Sequence, residues 1–318
     1  AAVESIWALE LTQDGRRTPM ALESRRQPTH TVLWGREEWA EHARRDRYLR
    51  VVAGAPWSTV TRGLVPILAL LAGWSLCVFK LQLRFTTNSL GFLASPIGLL
   101  LAFRVNSCVA RFHAARETWG KMTFLSRDVA STLAAVSSEE VDDAARADCC
   151  RYLVAYAWCA KAFATFEPKA SLAEVLRALL PAAEAEAVAR ARKPALAALS
   201  LLRERTIALP FQGSHVPRSV HRAISDLNAC YGALERVVST PLSPTYMRHY
   251  QRGLLVWLGL LPCGLLSAGC TTAAKLAFTV VAVSYLMLGI DEIGIQIEQP
   301  FIVMPTHLLA AGLSRDVA

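Results

Sequence analysis

The sequence has few charged residues for its length: Asp, Glu, Lys and Arg make up only 19% of 318 residues. A mean hydropathy of +0.30 and a hydrophobic content of 53% are too apolar for an average soluble chain, which argues against a wholly soluble protein. Glycine and proline are not in excess, with 17 and 15 residues. Together with the lack of a low-complexity repeat, this excludes a disordered or collagen-like polymer.

The chain also lacks the residue spacings of metal and catalytic sites. No CxxC pair occurs among its eight cysteines, and no HExxH, GxSxG or paired-carboxylate spacing accompanies its seven dispersed histidines. Three cysteines lie within or beside apolar runs, so buried free thiols in a reducing compartment are favoured over a disulfide scaffold. We therefore predict no metal site and no cofactor. A membrane enzyme remains the main alternative from another functional class.

Charge is missing altogether from four stretches, each of 15 to 22 residues: Gly63–Phe79, Phe85–Phe103, Gly253–Ala274 and Leu276–Ile290. As helices they would reach roughly 22 to 33 Å, close to the hydrocarbon thickness of a bilayer, about 30 Å. The first two stretches are separated by Lys80–Arg84, and the last two by Lys275 alone. The pattern predicts four transmembrane helices in two hairpins.

Four crossings place both termini and the long middle segment on one side of the membrane. Ten arginines precede Gly63, so the positive-inside rule assigns this side to the cytoplasm or its topological equivalent. The chain begins Ala-Ala-Val without Met, which is consistent with removal of a targeting peptide.

Outside the four stretches, apolar residues recur at three- and four-residue spacing between prolines, as in Ser171–Leu180 and Ser219–Val238. No segment alternates like a strand, so the predicted fold class is all-α. We divide the chain into five segments: an amino-terminal arm (1–30), a pre-span helix with spans 1 and 2 (31–104), a helical soluble region (105–251), spans 3 and 4 (252–290), and a carboxy-terminal segment (291–318).

The second span contains the sequence Ala94-Ser95-Pro96. Because proline lacks an N–H and clashes with the preceding turn, we expect two half-helices, with Ser95 as N-cap and Pro96 in the first position of the second half. Free N–H groups at that helix start would favour anions. A simple proline kink is the alternative interpretation.

From the expected break onward, Ser95, Leu99 and Phe103 recur every four residues and so share one face of a helix. This narrow, mostly apolar face spans about 12 Å and is followed by Arg104. A span that starts at a helix dipole and ends in arginine favours negative ions along its length.

The residues that follow resemble a known family. The segment Leu101-Ala-Phe-Arg-Val-Asn-Ser-Cys-Val-Ala-Arg-Phe112, with Trp119-Gly120, is similar to the pore-helix signature of the bestrophins. Near the end of the chain, Gly289-Ile-Asp-Glu-Ile-Gly-Ile-Gln-Ile-Glu-Gln-Pro-Phe301 is closest in wording to the plant and algal branch, the chloroplast voltage-dependent chloride channels and thylakoid bestrophin-like proteins. The resemblance covers about residues 30 to 305.

This resemblance implies a homopentamer around a central anion pore in a thylakoid membrane, with both termini on the stromal side. It makes Ser95, Leu99 and Phe103 the neck of the pore and Val216 a candidate second constriction. Arg104, which ends the second span in the sequence, would then lie at the pore mouth. The permeant ion would be chloride, with bicarbonate or nitrate as possible further substrates, and the candidate gating stimuli are voltage, pH and the chain's own termini. Expected partners are other copies of the chain and membrane lipid, and no nucleic acid is expected.

Animal bestrophins carry a run of aspartates after their Pro-Phe that binds calcium and opens the pore. Here Pro300-Phe301 is followed by no carboxylate until Asp316. Since calcium takes six to eight oxygen ligands, we predict that this calcium switch is absent.

Asp291, Glu292 and Glu298 lie where the last span meets the charged face. One interpretation pairs them with Arg104 or Arg111 and so fastens the last helix to the pore helix. The other makes them a cation-excluding or gating network. Two further alternatives concern the whole protein: a bicarbonate-dedicated channel of an algal carbon-concentrating system, and a membrane scaffold without transport.

Overall fold

The computed structural model describes residues 33–317 apart from residues 86, 138 and 212–214, and it describes the backbone but not the side chains of residues 87–90. Throughout these described residues the regular structure is helical, with no strand, which confirms the predicted all-α class. The predicted amino-terminal arm, residues 1–30, lies outside the described part of the chain.

The helices are numbered in chain order, and a short 3-10 turn, Ala55–Trp57, follows the second of them. They are α1 Arg36–His42, α2 Arg47–Gly54, α3 Thr59–Leu81, α4 Thr87–Ala135, α5 Asp143–Ala164, α6 Lys169–Leu179, α7 Ala182–Arg190, α8 Pro194–Ile207, α9 His215–Ser239, α10 Pro244–Ser267, α11 Ala273–Glu298, α12 Pro300–Val303 and α13 Thr306–Val317.

The described residues form two compact units. The hairpin unit consists of residues 34–112 and 241–299, and the bundle unit consists of residues 113–240 and 300–317. Helix α4 contributes residues to both units. The described residues of the predicted segment 31–104, from residue 34 onward, and the segment 252–290 fall in the hairpin unit, and most of the segment 105–251 falls in the bundle unit.

In the hairpin unit, α3 packs against α10 and α11, and α10 also packs against α11. The core contains Leu64 and Leu71 from α3, Leu101 from α4, Leu258 from α10 and Val280 from α11. The outward faces of these helices are also apolar, with exposed leucines, valines and phenylalanines on α3, α10 and α11. Apolar residues on both sides are typical of helices that face lipid or another subunit.

Three helices of the described chain are long and apolar enough to cross a membrane: α3, α4 from Gly91 onward, and α11. The expected third span, Gly253–Ala274, falls largely in α10, which is not one of the three. Helix α10 ends at Ser267 because Gly269, with φ of +96°, reverses the chain after it. The N–H of Cys270 then bonds to the carbonyl of Leu265 at 3.1 Å, the closing bond of a Schellman motif.

The expected break of the second span at Pro96 is wrong. Helix α4 runs without interruption from Thr87 to Ala135, with Pro96 inside it. A proline removes one backbone bond from a helix, and the burial of Ile97 and Leu101 in the core offsets this loss through packing. No helix starts at Pro96, so the positive dipole end expected there does not exist. The group that loses its bond is the carbonyl of Phe92, which attracts cations rather than anions.

The bundle unit is built around α5, in which nearly every residue from Tyr152 to Ala164 is buried. Helices α6, α8, α9 and α13 pack against it. The prolines divide this region as the sequence predicts, because Pro168 and Pro181 are the N-caps of α6 and α7 and Pro194 is the first residue of α8. These positions do not need the N–H that proline lacks.

Candidate pore face and its supporting contacts

Helix α4 presents one exposed face within the hairpin unit. Leu99 and Phe103 are each 56% exposed and Phe92 is 78% exposed, and Ser95 and Pro96 are also exposed. Since successive residues on a helix are about 100° apart, positions 95, 99 and 103 fall within an arc of roughly 80°. The predicted neck residues therefore form one continuous, solvent-accessible row, which we call the neck face.

The opposite side of the same helix is buried. Ile97, Leu101, Arg104 and Cys108 are between 0 and 9% exposed, and their spacing of three and four residues places them on a single face. Helix α4 is thus amphipathic in an unusual sense, because its exposed neck face is mostly apolar and its buried face contains an arginine.

Arg104 does not stand at a pore mouth as an exposed charge. It is 0% exposed in the single chain, and association with further copies can only keep it buried. Its guanidinium forms an ion pair with Asp291 of α11, which is itself buried. The expectation that Arg104 offers its charge to passing anions is therefore wrong, because Asp291 neutralises that charge inside the packed helices.

Arg104 contacts a second helix in addition to α11. Its Cζ atom lies 5.9 Å from the ring centre of Tyr250 on α10, within the range of a cation–π contact. The neighbouring Gln251 donates a hydrogen bond from Nε2 to Asp291 Oδ2 at 3.3 Å. On α11, a Cβ atom added to Gly294 would lie 3.6 Å from Arg104 Nε, an ordinary contact distance, so the guanidinium packs against α11 beside this glycine.

The other predicted members of the charge network make different contacts. Arg111 Nε donates to the backbone carbonyl of Glu298 at 3.2 Å, and the Glu298 carboxylate accepts from the backbone N–H of Leu242 at 3.3 Å. Glu292 accepts from Gln296, one turn along α11, at 3.2 Å. The structure thus joins Arg104 to Asp291 and Arg111 to the end of α11, and it places Glu292 in a local contact of its own helix.

Tyr246, Tyr250, Gln251 and Gly294 were missed by the sequence reasoning. The hydroxyl of Tyr246 donates to the backbone carbonyl of Leu100 at 2.9 Å and so adds a further link between α10 and α4. Only Gly294 had a signal in the sequence, because it belongs to the terminal motif that carries the family resemblance.

Val216, the candidate second constriction, lies in the first turn of α9 in the bundle unit and is half-buried. It lines an open groove of about 490 Å³ whose other walls are the carboxyl end of α4 and the loop after it. The lining contains Glu140 and several hydroxyl groups. The groove residues are Ser131, Thr132, Ala135, Val136, Ser137, Glu140 and Val216.

Helix α13 is fastened within the bundle unit by ordinary side-chain contacts. Asp316, the first carboxylate after Pro300, forms an ion pair with Arg127, whose Nε lies 3.0 Å from Oδ2. Trp158 donates from Nε1 to Ser314 at 3.1 Å. Within the described residues no group of three or more His, Cys, Asp or Glu side chains is arranged to hold a metal ion.

One polar cluster in the bundle unit joins α5, α7 and α8. The hydroxyl of Tyr152 donates to the Glu184 carboxylate, and Arg205 donates to the same carboxylate at 2.6 Å while lying 3.5 Å from Asp148. Burial, and then the bond to Glu184, raise the pKa of Tyr152 to about 12. The cluster holds the three helices together.

Residues 40–318 match the sequence family described as Bacterial/Fungal Bestrophin protein. The chain belongs to the bestrophin family. Among curated bestrophin relatives, a voltage-dependent anion channel-forming protein of a Nostoc species is 28% identical over 237 residues, which is 73% of this chain and 76% of that protein. The chloroplastic voltage-dependent chloride channel 2 of Arabidopsis thaliana is 23% identical over 305 residues, 91% of this chain and 73% of that one.

A solved structure of a bacterial bestrophin homologue from Klebsiella pneumoniae, carrying a single substitution, superposes with a TM-score of 0.73. It is 21% identical and covers 82% of this chain and 98% of that one. At this identity the match establishes the bestrophin fold alone. The family and its channel-forming relatives point to a channel rather than to an enzyme.

Proposed function

We propose that this bestrophin is an anion-selective channel whose pore is lined at its narrowest part by the neck face of α4. The observation that carries the proposal is the contrast on that one helix: Leu99 and Phe103 are more than half exposed, whereas Leu101 and Arg104 behind them are buried. A row of exposed apolar side chains on a candidate spanning helix faces lipid, another subunit or a pore. The relatives named as anion and chloride channels favour the pore.

Several copies of the chain would have to surround such a pore. A single chain with four or fewer crossings has too few helices to enclose water by itself, so we propose the homopentamer that the family resemblance implies, with one α4 from each subunit around the axis. The proposed topology has four crossings, the fourth supplied by α10, in which about 22 Å of helix follows Arg252. That length spans a bilayer only if the flanking residues or a locally thinner membrane make up the difference.

The neck face carries no charged side chain, since it consists of Ser95, Leu99 and Phe103. With Pro96 inside a continuous helix and Arg104 paired to Asp291, selection at the neck must come from dehydration and from the positive edges of the phenylalanine rings. Weakly hydrated anions should therefore pass more easily than chloride. Val216 is proposed as a second constriction in the bundle unit.

We further propose that the channel resides in a chloroplast thylakoid membrane with both termini in the stroma, and that it needs no calcium. The chloroplastic Arabidopsis relative supports the location. The pairing of Asp316 with Arg127 supports the second point, because the first carboxylate after Pro300 is already engaged. Chloride is the proposed permeant ion, and bicarbonate and nitrate are compared with it as further permeant ions.

The proposal is tested by reconstituting the purified chain in planar bilayers under gradients of chloride, nitrate and bicarbonate salts. We expect reversal potentials set by the anion and the order nitrate above chloride. The variant that combines Leu99→Ala and Phe103→Ala should conduct more and discriminate less between anions, whereas Leu70→Ala, which truncates an exposed leucine of α3, should not. Unchanged currents in the double variant would remove these residues from the neck, and the absence of any anion flux would favour a scaffold.

A further inference from the structure

The pairing of Arg104 with Asp291 has a consequence for the neck that rests on the proposed channel function. Phe103 and Arg104 are adjacent in α4, and their side chains point about 100° apart. One is 56% exposed and the other is 0% exposed. A rotation of α4 by one residue would therefore exchange the phenyl ring at the pore for a guanidinium.

Three polar contacts fix α4 against such a rotation, and all of them lie on one side of the helix. The carbonyl of Leu100 accepts from Tyr246 at 2.9 Å, Arg104 pairs with Asp291, and Arg111 donates to the carbonyl of Glu298 at 3.2 Å. Positions 100, 104 and 111 fall within an arc of about 40°. The centre of this arc is roughly 120° from the centre of the neck face.

Of these three contacts, the one at Arg104 depends most strongly on orientation. Its partners come from two helices, with Asp291 and Gly294 on α11 and the ring of Tyr250 on α10. A buried guanidinium that loses its carboxylate has no water to replace it, so a rotated α4 would leave two opposite charges unpaired inside the unit.

We propose that Arg104, through Asp291, is a positioning residue that sets the rotation of α4 and thereby decides which side chains form the neck. It acts behind the pore, where its charge is cancelled, and not as an anion-attracting group within it. Removal of either partner should let α4 adopt a second orientation, in which position 103 leaves the pore.

The test measures where the pore-facing side chains are, in the full-length reconstituted channel. Phe103→Cys is treated with a charged, thiol-specific methanethiosulfonate reagent while the current is recorded, and the unsubstituted chain serves to measure reaction at its own cysteines. In the background of Asp291→Asn or Arg104→Met, the rate of modification at position 103 should fall roughly tenfold or more. The reason is that the free energy lost with a buried ion pair is larger than the free energy needed to change the ratio of two helix orientations tenfold.

Two controls separate positioning from general damage. Arg252→Met removes an exposed arginine next to the α10 contacts and should leave the rate at position 103 unchanged. The exchange variant Arg104→Asp with Asp291→Arg restores the pair and should recover much of the rate. A purely structural role would lower the amount of assembled channel without changing the rate in the channels that remain.

A second set of variants decides the question if the charge variants fail to assemble. Gly294→Ala adds a Cβ at ordinary contact distance, 3.6 Å from Arg104 Nε, and should leave modification at position 103 unchanged. Gly294→Leu must displace the guanidinium of Arg104 and should slow the modification at position 103.

The two proposals fail in different ways. If Phe103→Cys does not react in the otherwise unsubstituted chain, the neck assignment is wrong. If the cysteine at position 103 reacts equally fast with and without Asp291→Asn, or equally fast in the Gly294→Leu and Gly294→Ala backgrounds, the neck assignment stands. The positioning role of Arg104 is then refuted.

Discussion

The buried pair of Arg104 and Asp291 allows a quantitative prediction of stability. Both side chains are almost fully removed from solvent, at 0% and 7% exposed, so solvent screening does not weaken their interaction. Replacing only Arg104 by Met, or only Asp291 by Leu, leaves one buried charge without its partner, which costs about 3–5 kcal/mol. Replacing both at once removes both charges, and the cost should be near zero or favourable.

For a chain of this size each kcal/mol shifts the melting temperature by about 2 °C, at the lower end of the range for large domains. Each single variant should therefore melt roughly 6–10 °C below the parent. The double variant should melt within about 2 °C of the parent. The assay is the loss of the assembled channel peak in size-exclusion chromatography after heating, which requires no reversible unfolding.

A matched control comes from an exposed pair in the bundle unit. Arg190 and Glu186 form an ion pair at 2.8 Å with Arg190 largely in solvent, so Arg190→Met should cost at most about 0.5 kcal/mol and shift melting by about 1 °C. If the double variant of Arg104 and Asp291 were as unstable as the two single variants added together, the two residues would not be coupled. The account of α4 as a helix fastened by this pair would then be wrong.

Three further predictions concern regions away from the neck. The pKa of Tyr152 is raised to about 12, so the folded state favours the neutral hydroxyl, and the resulting contribution to stability is present below pH 10 and lost towards pH 12. Between pH 10 and pH 12 the melting temperature of Tyr152→Phe should therefore fall less than that of the parent. An equal fall in both proteins would contradict the prediction. Burial raises the pKa of Cys149 to about 11, so mass spectrometry should find it unlabelled by a maleimide at pH 8 until the protein is denatured, and labelling of Cys149 in the folded protein would contradict this prediction. Calcium chelation should leave the anion current unchanged, and a loss of current in chelator, or calcium found near Pro300, would show a calcium site built from residues other than an aspartate run.

The positions of most helices could be read from the sequence, because charge-free runs and prolines are local signals. Both α3 and α11 contain the runs predicted to span, and Pro168 and Pro181 precede the helices that they were expected to separate. The end of α10 was missed because the backbone reversal at Gly269 interrupts an apolar run whose composition continues beyond it.

The error at Pro96 has a different origin. Local chemistry favours a break there, but packing of Ile97 and Leu101 in the core decides in favour of a continuous helix. The partner of a buried side chain is likewise a tertiary property. Even so, the sequence contained one signal for Arg104, since it continues the series Ile97, Leu101 and Cys108 on the buried face and does not belong to the exposed series that ends at Phe103.

The most direct test of the central claim is the reversal potential of the reconstituted channel in a potassium chloride gradient, measured for the parent and for the variant that combines Leu99→Ala and Phe103→Ala. The neck account predicts that the parent reverses close to the chloride equilibrium potential and that the variant moves towards zero as its wider neck admits cations. A parent that reverses near the potassium equilibrium potential, or a variant indistinguishable from the parent in both conductance and reversal potential, would contradict it.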